Sequence, residues 1–152
     1  MTTTGNKPTA AAAVAEEEYR ESPCTRCPWR VDADLTAFTD ADMDRLTRAN
    51  GTPGREAPLN ARTIACHLDQ PGTAHPLRLC SGWLAVVGPY HLGVRMMVIA
   101  GNLPVAVLAR HPGWPALVDS LATLLARRER ALGRQTPETT FTCADSARRN
   151  TP

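Results

Sequence analysis

Ser22-Pro23-Cys24-Thr25-Arg26-Cys27-Pro28-Trp29-Arg30 cannot sit comfortably in a regular core helix or strand, because two prolines bracket two thiols and remove the backbone donors such elements need. A two-residue gap instead puts both thiols on one tight turn, where they can converge on a single ion. Two further cysteines, Cys66 and Cys80, flank a loop rich in Gly, Pro and His whose ends can return to one point. Cys24, Cys27, Cys66 and Cys80 together supply the tetrahedral set preferred by zinc, or the four thiolates that hold an iron–sulfur cluster. Both metals stay open at this stage, with zinc as the leading expectation. A small domain gains from a closed zinc tetrathiolate that replaces missing core.

The rest of the chain limits the alternatives. At 152 residues it has the size of one domain. The apolar patch Ala10 to Ala15 runs directly into Glu16, Glu17 and Glu18, which is not a secretory pattern, and a cytoplasmic location is expected. In a reducing compartment five cysteines favour metal ligation over a disulfide framework. The longest apolar stretch, Trp83 to Ala100, is interrupted by Gly88, Pro89, His91 and Arg95, so no membrane span is expected. Net charge is only +2, too small for an obvious nucleic-acid binder.

Residues 1–22 read as a flexible arm, 23–134 as one metal-binding helical domain and 135–152 as a polar tail carrying the fifth thiol, Cys143. Thr39 before Asp40-Ala-Asp42 predicts a capped helix over about 40–50, and Arg62 to Leu68 a short strand. Ser81 to Val87 predicts a helix broken at Gly88-Pro89, a second one running from Pro89 to Ala100, and a short one capped by Asn102. Pro115 opens the last helix, whose stripe of Leu117, Val118, Leu121, Leu124 and Leu125 is expected to bury against the segment Leu84 to Ile99. The fold class is therefore mainly α: a small metal-stapled N-terminal lobe packed on a C-terminal cluster of helices.

Several side chains carry secondary expectations. His67 is the obvious substitute ligand, although adjacent residues of an extended chain point to opposite faces. Trp29 and Trp83 follow proposed ligands closely and would shield them from water. Arg26, Arg30 and Arg78 would offset thiolate charge. Arg127, Arg128, Arg130 and Arg134 read as a solvated helix face that could also touch nucleic acid.

At Cys24-Thr-Arg-Cys27-Pro-Trp-Arg30, Cys66-His67 and Cys80-Ser-Gly-Trp83 the chain resembles a family of uncharacterised small four-cysteine proteins of actinobacteria and their phages. The resemblance implies the same four-cysteine site and carries no activity with it. Cys80-Ser-Gly-Trp83 is also loosely similar to WhiB-like iron–sulfur regulators, whose cysteine order differs. The expected function is that of a non-catalytic metal-binding module whose partner is another protein; the alternative is an iron–sulfur, redox-responsive regulator. An enzyme using Cys66 as nucleophile lacks an oxyanion turn and an orienting group in the sequence.

Overall fold

A computed structural model describes residues 18–69, 71–75 and 77–134. The architecture is mainly helical, with isolated bridges and no extended sheet among the described residues. Helix α1 spans Asp40–Arg48, α2 Ser81–Val86, α3 Leu92–Ile99 and α4 Leu121–Ala131, and single 3-10 turns lie at Leu35–Ala37, Gly88–Tyr90 and Val105–Leu108. None of these helices is long and apolar enough to cross a membrane.

Helix α1 starts where the sequence places it. The Thr39 hydroxyl accepts from the Asp42 N–H, and the Asp42 carboxylate accepts from the Thr39 N–H, which satisfies two end donors reciprocally. Met43 and Leu46, one turn apart, are buried on one face. Helix α2 is different in kind: every residue from Ser81 to Val86 is buried, so it forms the centre of the molecule and has no polar face.

The helix expected from Pro89 to Ala100 is divided in two. Pro89 opens a 3-10 turn, and α3 begins only after His91. The cause is a bridge between Ala57 and His91, in which Ala57 N–H donates to Tyr90 C=O at 2.9 Å and Leu92 N–H to Ala57 C=O at 3.0 Å. Backbone groups so engaged leave the helical register at that point. His91 then caps α3 through its ring, Nδ1 accepting from Val94 N–H at 3.3 Å. Asn102 is not a helix cap. Its N–H and that of Leu103 both donate to the Met97 C=O, closing α3 beyond Gly101 at φ 78°, and Pro104 precedes the next 3-10 turn.

The last stripe is buried as expected at Leu117, Val118, Leu121 and Leu124, with Leu125 half-buried, but it belongs to two structures. Helix α4 starts after Ser120, whose hydroxyl accepts from Thr123 N–H. Leu117 and Val118 lie in extended chain that pairs with the cysteine turn: Val31 N–H donates to Ala116 C=O at 2.8 Å and Val118 N–H to Trp29 C=O at 2.9 Å. Helix α4 accordingly packs on the Leu35–Ala37 turn and on α1, not chiefly on Leu84 to Ile99. One contiguous apolar cluster includes all four cysteines and the buried faces of α1, α2, α3 and α4.

Candidate metal centre

The four cysteines are contributed by three local structures. Cys24 and Cys27 share a turn closed by Cys27 N–H donating to Cys24 C=O at 3.0 Å. Cys66 and Cys80 lie diagonally on one face of a short antiparallel pairing about Ala65 and Leu79, with Cys66 N–H bonded to Arg78 C=O at 2.8 Å and Cys80 N–H to Ile64 C=O at 2.9 Å. Cys80 also precedes the first turn of α2. All four are free thiols and all are buried.

Their sulfurs stand as two pairs. Cys27 Sγ and Cys80 Sγ are 3.7 Å apart, far beyond a disulfide bond of about 2.05 Å. A tetrahedral zinc ion with Zn–S near 2.3 Å places its sulfurs about 3.8 Å from one another. The Cys27–Cys80 pair thus already has the edge length of a tetrathiolate site. Cys24 and Cys66 act on one another, Cys24 being pushed up and Cys66 down to about 6. Cys80 is pushed up by its hydrogen bond with Cys27 and by burial. Among the described residues, no group of three or more His, Cys, Asp or Glu side chains is arranged so as to hold a metal ion.

Several neighbouring groups favour sulfur anions, although the net push on Cys24 and Cys80 is upward. Backbone N–H groups of Arg26, Leu68 and Trp83 are directed at Cys24, Cys66 and Cys80 respectively, each favouring the charged form of its sulfur. The Arg20 guanidinium lies 3.7 Å from Cys66 Sγ. Such donors tune and retain thiolate ligands. In type and number the donor set therefore fits a soft four-thiolate metal, with its sulfurs gathered two by two.

The sequence missed what locks this arrangement. Asp69 is buried between two guanidiniums, Arg78 through a two-point fork at 2.9 and 3.0 Å and Arg20 at 3.1 Å, so the loop between Cys66 and Cys80 is pinned at its base. Arg78 serves Asp69 rather than a sulfur, and Arg30 pairs with Asp32 and reaches the Cys24 carbonyl. Arg20 falls within the expected arm, yet Glu18 to Arg20 already pair with Leu79, upstream of the Pro23 start read from composition. A lone Arg in a polar stretch gives no periodic signal by which to find it.

Trp29 and Trp83 are fully buried, and among the described residues neither indole N–H has an acceptor. His67 is half-buried with its ring edge-on to Phe38 at 5.0 Å, and burial pushes its pKa down. His91 is fully buried against Trp83, His111 stacks on Trp114, and His75 is exposed. Cys143 lies outside the described residues.

The basic helix face is corrected in part. Arg128 is buried, bonding Phe38 C=O at 2.9 Å and Asp40 at 2.7 Å, and Arg127 bonds the carbonyls of Arg30 and Val31. Arg130 is exposed, and Arg134 is near Asp40 at 3.5 Å. Half of the expected cluster thus ties α4 to the cysteine lobe.

A family model, described as a family of unknown function, DUF6283, matches residues 19–147. The chain belongs to DUF6283. The match begins at Tyr19, the residue that bridges to Leu79, and the matched residues of this chain span Arg20 and the four buried cysteines. No curated protein and no solved structure matches this DUF6283 chain.

Proposed function

We propose that this protein is a non-catalytic, cytoplasmic metal-binding module in which Cys24, Cys27, Cys66 and Cys80 hold one zinc ion, and that it acts by contact with another protein. The observation that carries this reading is the Cys27–Cys80 separation of 3.7 Å inside a buried set of four thiols. Four protein thiolates around one zinc would leave no open position for water or substrate, so the metal's role would be structural. With Arg127 and Arg128 engaged inside the fold, nucleic acid would have only Arg130 and Arg134 of that face, which favours a protein partner.

A second reading rests on the pairing of the sulfurs. Cys27 with Cys80 and Cys24 with Cys66 is also how two irons of a small cluster would divide four thiolates, making the protein an iron–sulfur, redox-responsive regulator. Purification without oxygen followed by metal and sulfide analysis separates the two. A colourless protein with one zinc per chain supports zinc; a brown one with iron and sulfide supports the cluster. Full metal retention in Cys27→Ser and Cys66→Ser together with Cys24→Ser would sink both.

A further inference from the structure

A cleft of about 560 Å³ opens between α1 and the Arg62 to His67 segment. That volume is in the range that encloses a small organic molecule. Three arginines, Arg45, Arg48 and Arg62, line it from two separate pieces of chain. Arg45 and Arg48 sit in the last turn of α1, where cations also complement the helix dipole. Arg62 has no such local reason to be there. It is held at the rim from below, its carbonyl accepting from the ring Nε2–H of fully buried His91 at 3.3 Å.

Two groups that can carry negative charge line the cleft, and the Cys66 sulfur already faces the Arg20 guanidinium at 3.7 Å. Asp42, the carboxylate that lines it among the described residues, accepts from Thr39 N–H, from the Thr39 hydroxyl and from Arg45. Arg48 and Arg62 are exposed and pair with no carboxylate among the described residues. The register of the Ala65–Leu79 bridge also turns the Ala65 N–H outward, because Ile64 and Cys66 make the bonds to the facing chain. Leu46, Ile64 and Ala65 add an apolar wall. Planar forks and an outward N–H suit the oxygens of a phosphoryl group, and the apolar wall suits a carbon body attached to it.

We propose that this cleft binds a small phosphate monoester with an apolar body, gripped by Arg48 and Arg62. The cleft shares Cys66 with the proposed metal site, but the two arginines that grip the ligand carry no hydrogen bond to a sulfur among the described residues.

Phenyl phosphate is the probe, titrated calorimetrically into the full chain beside inorganic phosphate, benzoate and benzyl alcohol. Phenyl phosphate binds most tightly of the four, and Arg48→Gln and Arg62→Gln each weaken it about tenfold, the scale of one charge-assisted contact. Arg95→Gln, an exposed arginine of α3 outside the cleft, changes nothing. Metal content and melting are recorded on the same samples and stay at wild-type values in all three variants. Absence of phenyl phosphate binding, benzoate binding as tightly, or equal loss in Arg95→Gln overturns the proposal.

Discussion

Gly82 shows how tightly single atoms fix the cysteine site. A Cβ at this position would lie 2.6 Å from Cys27 Sγ and 3.1 Å from the Trp29 Cβ, neither of which is the far end of a flexible chain. The Gly between Ser81 and Trp83 is therefore required by the close approach of α2 to the cysteine turn, and not by a turn of its own. Gly82→Ala should lower unfolding free energy by about 1–3 kcal/mol through overpacking and reduce bound metal. Gly113→Ala, where an added Cβ meets nothing within 4 Å, serves as the control. Denaturant unfolding with parallel metal analysis decides it, and equal stability of the two variants would mean that the turn and α2 are not in contact. At this scale the sequence was highly legible for the thiols, because Cys-x-x-Cys between prolines has few other readings. It was silent on Arg20 and Asp69, since a buried ion pair between residues 49 apart has no local signature.

At the scale of elements, propensity and capping located α1, and stripes of apolar residues identified the buried positions but not always the element carrying them. Leu117 and Val118 fit the helical stripe of α4 and are buried, yet pairing with Trp29 and Val31 holds them extended. A period shared by a strand end and a helix start cannot be divided from sequence alone. The same helix carries the clearest misreading, Arg128, which occupies a solvated position by pattern and a buried one in fact. Removing it leaves the Phe38 carbonyl without its donor. Arg128→Ala is expected to cost about 1–3 kcal/mol, the penalty for orphaning a buried acceptor, while Arg130→Ala stays within about 0.5 kcal/mol. Arg128, with Arg134 behind it, also holds the Asp40 carboxyl below its usual range. A depressed carboxyl stabilises the fold above its ordinary pKa and loses that contribution as pH falls through the lower folded value. The Asp40 carboxyl should therefore titrate higher in Arg128→Ala when followed by NMR, and an unchanged midpoint would show that the ion pair does not form in solution.

For the whole molecule, the decisive fact is that the cysteines are core residues of one continuous apolar cluster and do not form a detachable lobe. The cysteine turn is hydrogen-bonded to the strand before α4, the Cys66–Cys80 pairing leads straight into α2, and Arg128 fastens α4 to the chain before α1. If the four thiols hold the proposed metal, its release is felt throughout, because the ligands' binding free energy becomes folding free energy. Treatment of the purified protein with a strong chelator should lower the melting temperature and broaden the transition, with loss of helical signal from α2 as well as from the cysteine turn. Thiol counting gives an independent measure: of five cysteines in the chain, the four buried ones should react slowly with a thiol reagent in the native protein and rapidly, as a group, once the metal is removed. If chelation leaves melting unchanged and the four thiols stay protected, the apolar cluster alone holds the fold. If they become reactive one at a time with no shared dependence on metal, they do not act as a unit around one ion or cluster.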